Sequence, residues 1–374
     1  MDAPIILRGA VGGDIAIMGR RIAAIGRVSK GALTLDLSGH RILPGLINAH
    51  DHLEFNLYSR MGNGPYPNAG AWARDVYRPN DSPIQEQLQI PKGIRLIWGG
   101  LKNLISGVTT VCHHNPRELT VFDRNFPVRV VKRFGWAHSL EFTPHVAKIF
   151  RATPEGWPFI VHLGEGRDRV TRREIFELDK LGALDSRTVM VHAIGLDRAG
   201  LKLAKERGAS IVWCPSSNLF LFGRTLSDGV LSSGIPIALG SDSALTGDGD
   251  LLDEIRVARK ASGVSSAAIY RMVTTDAARI LRLPGGDIKV GGLADLIAIP
   301  ETRRFPASPA LVIVGGKVKL IAPSLARRMP KNGLHTLQVD GRGEFLVDAN
   351  IPKLRAHVRG ALGPDVRLAG RRIA

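Results

Sequence analysis

Short apolar runs alternate along most of the chain with longer amphipathic stretches. This alternation predicts parallel strands joined by helices. The strand candidates are residues 43–49, 108–112, 128–133, 159–163, 188–192, 210–214 and 236–240, and helical candidates include residues 91–105, 172–181, 198–206, 251–260 and 267–281. Because a (β/α)8 barrel needs eight strands, residues 135–140 are considered as a vestigial fourth strand.

Both ends of the chain carry β-like runs outside this pattern. They lie at residues 4–8, 14–18, 21–25 and 33–37 before the first barrel strand and at residues 292–300 and 310–321 after the last helix. A small isolated sheet is marginal in water, so we expect the two ends to pair. The predicted division is a barrel over residues 43–285 and a small β domain from residues 1–42 and 286–374, with a basic C-terminal extension.

The composition limits the class of protein and the binding partners that we expect. The chain has 374 residues, of which 44% are hydrophobic and 23% charged, as expected of a globular protein. The sequence contains no run of 18 apolar residues and no signal peptide pattern, so we expect a cytoplasmic protein without membrane contact. The net charge of +17 permits binding to nucleic acid. In the absence of any nucleic-acid-binding motif we favour a general basic bias and a small-molecule substrate, with a homo-oligomer left open.

Polar residues cluster where the predicted strands end. These strand ends carry His50 and His52, His162 with Glu165, His192, and Asp242. Alternation along a strand sends His50 and His52 to the same side, where two imidazoles can hold one divalent ion. An isolated pair of this spacing is better read as part of a surface loop. Carboxyl ends of barrel strands, however, meet at one rim, so we expect all these side chains to converge.

These motifs resemble the amidohydrolase superfamily of metal-dependent hydrolases, and within it the aminohydrolase or deaminase branch. The resemblance runs from about residue 43 to 318, and it is carried by the stretch from Pro44 to His52 and by residues 107–111, 162–165, 192, 214–218, 240–243 and 291–295. It implies an α/β fold, a distorted TIM (β/α)8 barrel with a small β-sandwich formed from both chain ends. The chain departs from the family in the short stretch between residues 107 and 162 and in its unclear fourth strand.

The residues and the resemblance agree on a mononuclear metal centre. A binuclear centre of this family needs a bridging lysine at the end of the fourth strand, and neither Lys132 nor Lys148 follows a clean buried strand. One divalent ion is therefore assigned to His50, His52, His162 and Asp242. Zn²⁺ is favoured, and Fe²⁺ or Mn²⁺ also suits mixed imidazole and carboxylate ligands.

The predicted chemistry is hydrolytic deamination of an aminated heterocycle with release of ammonia. A water on such an ion loses a proton near neutral pH and becomes a nucleophile. Asp242 would accept that proton, Glu165 would protonate a ring nitrogen and then the departing amine, and His192 would orient the water. This division of roles resembles the deaminase branch. If Glu165 only capped the following helix, its role would be structural.

Substrate contacts are less defined. Glu54, His113 and His114 are candidates because they follow the first two strands, and residues 62–79 have the Gly-, Pro- and aromatic-rich composition of a lid. Two alternatives remain open: an amidohydrolase that cleaves a cyclic or linear C–N amide bond, and a non-catalytic binding protein on the same barrel.

Overall fold

The computed structural model describes residues 4–26, 28, 33–116, 118–123, 125–247, 249–329 and 333–374. The chain begins with five short strands: β1 (Ile5–Arg8), β2 (Ile15–Met18), β3 (Arg21–Ile25), β4 (Leu33–Asp36) and β5 (His40–Pro44). Strands β1 to β4 form one sheet in the order β3-β2-β1-β4, whereas β5 joins a different sheet.

Eight strands then form two parallel sheets. They are β6 (Leu46–Asp51), β7 (Val108–His113), β8 (Arg129–Val130), β9 (Gly135–Ala137), β10 (Phe159–Leu163), β11 (Thr188–His192), β12 (Ser210–Trp213) and β13 (Ile237–Leu239). One sheet has the order β6-β7-β8 and the other β13-β12-β11-β10-β9. Strand β9 is the fourth strand that the sequence left uncertain, and its three residues are too few to show a period of their own.

Helices fill the connections between these strands. They are α1 (Ala69–Val76), α2 (Ile84–Leu88), α3 (Lys92–Ile105), α4 (Val146–Ala152), α5 (Arg169–Lys180), α6 (Arg198–Glu206), α7 (Pro215–Phe222), α8 (Asp228–Leu231), α9 (Leu251–Ala261), α10 (Ser266–Met272) and α11 (Thr275–Ile280). The single helix predicted over residues 267–281 is thus two helices. In the described part of the chain, no helix has the length and apolar character needed to cross a membrane.

The chain ends with β14 (Leu296–Pro300), β15 (Leu311–Val314), β16 (Lys317–Ile321), β17 (His335–Val339), β18 (Gly343–Val347), α12 (Ile351–Leu362), β19 (Arg367–Leu368) and β20 (Arg371–Arg372). Strands β14 to β18 form a mixed-order antiparallel sheet with β5, in which β14 pairs directly with β5. Leu7, Ile17 and Leu35 of the N-terminal sheet share one buried cluster with Leu296, Leu311 and Ile313 of this sheet. Strands from both chain ends therefore pack around one core.

The prediction of a single strand over residues 43–49 was wrong in its first half. Leu43 lies in β5 and pairs with Ile297 of the antiparallel sheet, and the first barrel strand begins only at Leu46. Gly45 separates the two strands, and a Cβ there would lie 2.2 Å from the Thr109 side chain. The close approach to β7 therefore requires glycine, and the chain changes sheets at the Pro-Gly step.

Candidate metal centre and active site

The carboxyl ends of four parallel strands bring five buried side chains and one partly buried side chain, that of Glu165, close together. Strand β6 and the residue directly after it carry two of them and β10 and β11 carry one each, while one follows β10 by two residues and one follows β13: in chain order they are His50, His52, His162, Glu165, His192 and Asp242. The predicted convergence of ligands is thus present as geometry, although the chemical roles of these residues stay predictions.

The ligand atoms lie at distances that suit one ion. His50 Nε2 lies 3.2 Å from His162 Nε2 and 3.6 Å from Asp242 Oδ1. His52 Nε2 lies 3.6 Å from the same carboxylate oxygen. Two ligands of a tetrahedral Zn²⁺, each about 2.0–2.1 Å from the ion, are about 3.3 Å apart. Among the described residues, the donor atoms that all lie within 4.8 Å of one another form two groups: His50 with His52 and Asp242, and His50 with His162 and His192. His50 belongs to both groups and so joins His162 to His52 and Asp242.

Neighbouring oxygens orient three of the imidazoles toward this point. Each ring donates its Nδ1–H to an acceptor: His162 to the backbone oxygen of His138 (2.7 Å), His192 to Asn218 Oδ1 (2.8 Å) and His52 to Asn115 Oδ1 (3.2 Å). A donor at Nδ1 leaves a lone pair on Nε2 of a neutral ring, which is the arrangement seen around metal-binding histidines.

Burial favours the neutral form of three of the four histidines, His50, His162 and His192. Burial lowers the pKa of His50 to about 3. Burial, together with the neighbouring histidines, lowers the pKa of His162 well below its ordinary value, and burial also lowers the pKa of His192. The Nε2 atom of His192 is buried and has no hydrogen-bond partner among the described residues. Neutral rings with inward lone pairs form a site ready for a cation.

Asp242 is fixed in an unusual backbone conformation. Its φ of 53° is left-handed, which non-glycine residues adopt rarely and often at functional sites. Ser217 Oγ and Thr246 Oγ1 donate to its Oδ2 at 2.6 and 2.9 Å. Burial alone would raise the pKa of Asp242, but the hydrogen bond with His50 and the electrostatic interactions with the His192 and His52 rings hold this pKa well below its usual range. The carboxylate is therefore ionised, and Oδ1 faces His50 and His52.

Glu165 has the opposite electrostatic character. Burial, followed by the negative charges of Asp242 and Glu174, raises the pKa of Glu165 well above its ordinary value. Its Oε1 lies 3.4 Å from His192 Nε2. The two site carboxyls thus favour different protonation states, and such a separation marks one group as a proton donor and the other as a base.

A small cavity of about 40 Å³ adjoins this cluster. Its lining includes His138, His162 and Glu165 from the strand ends and Asn68 and Phe142 from the loops above. The predicted lid, residues 62–79, contains α1 and lies over the site. Its Ala69 N–H donates to the Glu165 backbone oxygen at 3.1 Å.

Comparison with known proteins relates the chain to the amidohydrolase family and to deaminases. The model of the amidohydrolase family matches residues 155–319. The chain carries an amidohydrolase family domain. It is 27% identical to a 5-methylthioadenosine/S-adenosylhomocysteine deaminase of Syntrophobacter fumaroxidans, with 77% of this chain and 80% of the relative covered. A second deaminase of the same name, from Archaeoglobus fulgidus, is 25% identical over 78% of this chain and 82% of its own length.

Two solved structures show the fold of this amidohydrolase domain and its surroundings. An adenosine deaminase from Xanthomonas campestris with bound zinc superposes with a TM-score of 0.72 at 18% identity and covers 96% of this chain and 97% of its own. Atrazine chlorohydrolase from Arthrobacter aurescens, complexed with zinc, gives a TM-score of 0.72 at 16% identity, with 96% and 99% covered. The chain has a TIM-barrel-like α/β fold.

Glu54, His113 and His114, the predicted substrate contacts, are buried beside this cluster of histidines and carboxyls. His113 Nδ1 accepts the Leu53 N–H at 3.2 Å, and His113 Nε2 lies 3.5 Å from Glu54 Oε2. His114 donates from Nε2 to the Ala137 backbone oxygen at 3.0 Å, and its ring tilts against His162. These contacts orient the three side chains within the barrel, and their role toward a substrate stays a prediction.

Sequence reasoning missed His138 as a residue of the site. It follows β9, its ring centroid lies 4.8 Å from that of His162, and it lines the cavity. The candidate strand over residues 135–140 contains His138 in its interior, so the rule that strand ends carry the chemistry does not select it, whereas β9 ends at Ala137 and His138 directly follows it. Ser217 and Asn218 belong to the motif at residues 214–218, and the structure shows that they contact Asp242 and His192 directly.

Proposed function

We propose that the chain is a metal-dependent hydrolase that deaminates an aminated heterocycle and releases ammonia. The observation that carries this proposal is the convergence of two carboxyls with opposite pKa shifts, lowered for Asp242 and raised for Glu165, on a cluster of four histidines. The names of the two deaminase relatives support the same reaction class, hydrolysis of a C–N bond.

The ligand set proposed for one divalent ion is His50, His52, His162 and Asp242. Zn²⁺ is favoured because the distances between donor atoms suit a tetrahedral ion and because two structures of the same fold contain zinc. When bound, such an ion lowers the pKa of a water molecule and so supplies a nucleophile near neutral pH.

The chain's own residues would move the protons. Asp242 accepts a proton at the carboxylate, while Ser217 and Thr246 hold its Oδ2 and so fix its direction. Glu165, whose pKa is raised by burial, would give one proton to a ring nitrogen of the substrate. It would then take the proton of the added hydroxyl group and pass it to the amine, so that the C–N bond breaks and ammonia leaves. The proton held by Asp242 would then restore Glu165. His192 orients the reacting water, because its Nε2 lies 3.4 Å from Glu165 Oε1 and 4.0 Å from Asp242 Oδ2.

The architecture in the same proposal is a distorted (β/α)8 barrel and a β-sandwich built from both chain ends. The boundary predicted at residue 43 is moved to residue 46, because Leu43 pairs in the antiparallel sheet. The proposed barrel thus covers residues 46–285, and the proposed sandwich covers residues 1–45 and 286–374. Ser241 N–H and Asp242 N–H, which follow β13, donate to the His50 oxygen in β6 at 3.0 and 3.1 Å, which supports closure of the barrel between its first and last strands. The cytoplasmic location, the absence of nucleic-acid binding and a homo-oligomeric state stay predictions.

The test is ammonia release from a panel of aminated heterocycles. The panel should contain adenosine, 5-methylthioadenosine, S-adenosylhomocysteine and an aminated triazine, with cyclic amides beside them. We expect ammonia from at least one aminated ring. Ring opening of a cyclic amide without ammonia from any panel member would instead favour the amidohydrolase alternative.

Replacement of Glu165 by Gln tests the proton transfer. Gln keeps the size of the side chain but cannot deliver a proton, so turnover should fall by about 10²–10⁴-fold with unchanged metal content. Glu177→Gln is the control, because Glu177 lies on α5, the helix that follows Glu165, and its side chain is 53% exposed. Near-normal turnover in Glu165→Gln would remove Glu165 from the mechanism.

A further inference from the structure

A buried lysine lies behind the two histidines of β6. Lys102, on α3, is only 1% exposed, and its Nζ has three acceptors: Asn56 Oδ1 at 2.8 Å, Asp51 Oδ2 at 3.0 Å and Ser241 Oγ at 3.1 Å. An ammonium group has three N–H donors, so this one is fully used. None of the acceptors belongs to the proposed ligand set.

The acceptors belong to the two segments that carry ligands. Asp51 lies between His50 and His52 in the chain, and Ser241 directly precedes Asp242. Although β6 and β13 are neighbours, they belong to different sheets among the described strands, and no ladder joins them there. Side chains take over part of this connection, since Asn48 also donates to Ser241 Oγ at 2.8 Å and accepts from Ser241 N at 3.0 Å.

Both oxygens of the Asp51 carboxylate accept hydrogen bonds within the same network. Its Oδ2 accepts from Asn103 at 2.7 Å, and its Oδ1 accepts from Asn56 at 2.8 Å. Both carboxylate oxygens therefore have directional donors in addition to the lysine charge. The peptide that joins His50 to His52 cannot shift without breaking several of these bonds.

Net stability does not account for so elaborate an ion pair. Desolvation of two charges usually cancels their attraction, and apolar residues of similar volume often stabilise a core equally well. Apolar residues cannot reproduce the directional hydrogen bonds of such a pair. A fully satisfied polar network fixes its members relative to one another, as the supporting shell of a metal site must.

We propose that Lys102 and Asp51 form a positioning pair that sets the place of Asp242 relative to His50 and His52. The pair acts on Asp242 through Ser241, which follows β13. It acts on His50 and His52 through Asp51, which lies between them in β6. This inference rests on the proposed metal centre, and it predicts that the pair controls metal affinity and ligand geometry without contact to substrate.

The experiment uses Co²⁺ loaded into the full-length protein. Its visible absorption bands report coordination geometry, so no substrate is needed. The variants are Lys102→Met, the charge-neutral double variant Asp51→Asn/Lys102→Met, and Ser241→Ala, which removes only the link to β13. We expect altered bands in all three and Co²⁺ dissociation constants about 10–100-fold higher in the two Lys102 variants, the range found for lost outer-shell partners.

Lys319→Met is the matched control. Lys319 is another buried lysine, 2% exposed, and it pairs with Asp348 at 2.7 Å in the antiparallel sheet. This variant should lose stability but keep the Co²⁺ spectrum and affinity of the wild type. If Lys102→Met alone does not fold, the double variant and Ser241→Ala still test the positioning role, because neither of them leaves a buried charge unpaired.

Three results would overturn the inference. Wild-type bands and affinity in the double variant and in Ser241→Ala would show that the pair has no positioning role, while the proposed function would stand. Equal changes in Lys319→Met would show that general loosening is the cause. A wild type that binds no Co²⁺ would remove the metal centre and, with it, both proposals.

Discussion

The contact between the C-terminal extension and α9 predicts that Arg342→Met will destabilise the protein strongly. The Arg342 side chain is 3% exposed, and its Nη2 lies 2.6 Å from Oδ2 of the buried Asp250. Asp250 also caps α9 by accepting the Leu252 N–H at 2.9 Å. Methionine retains much of the alkyl packing but leaves Asp250 with Arg371, whose Nη1 lies 3.8 Å away.

The expected loss follows from this burial. Removal of one partner from a buried ion pair costs about 3–5 kcal/mol. Because Arg371 still faces the carboxylate, we expect the lower end of that range, about 3 kcal/mol in the free energy of unfolding. The assay is a urea titration of both proteins at the same pH, with the midpoint and the slope fitted separately.

Two further variants show whether the unpaired charge is the cause. Lys180→Met removes an exposed pair with Glu177, whose side chains are 72% and 53% exposed, and should cost less than about 1 kcal/mol. Arg342→Met/Asp250→Asn should be more stable than Arg342→Met alone, because asparagine also caps a helix but carries no charge. A loss in Arg342→Met no larger than in Lys180→Met, or a double variant less stable than the single, would refute the reasoning.

One further prediction concerns the metal centre, and another concerns the buried Glu254. His50→Ala should lower the metal content sharply from near one ion per chain, as measured by elemental analysis, whereas two tightly bound ions in the wild type or retained metal in the variant would contradict the mononuclear site. Burial raises the pKa of Glu254, which accepts from Ser216, to about 8. A pKa raised in the folded state gives stability that is present below the unfolded value and lost as pH rises through about 8. Urea titrations at pH 5 and pH 9 should therefore show that the free energy of unfolding falls less between these pH values in Glu254→Gln, which cannot ionise, than in the wild type. An equal fall in both proteins would contradict the raised pKa of Glu254.

The sequence alone determined which residues gather at the rim. His50, His52, His192 and Asp242 each end an apolar run or directly follow one, and a run that alternates with helices predicts a parallel strand. Because parallel strands of a barrel end at the same side, local pattern is enough to place these side chains near one another. The same argument failed for His138, because the pattern puts this residue inside a candidate strand over residues 135–140, whereas β9 ends at Ala137.

Tertiary structure decided the partners of each segment. Leu43 was expected to lie in the first barrel strand, but it pairs with Ile297, which is distant in sequence. Lys102 lies in an amphipathic helix, where a lysine ordinarily faces water, and it becomes buried because Asp51 and Ser241 provide acceptors from other segments. Periodicity reports which face of an element is apolar. It contains no information on which distant segment will meet that face, and that choice depends on the packing of the whole chain.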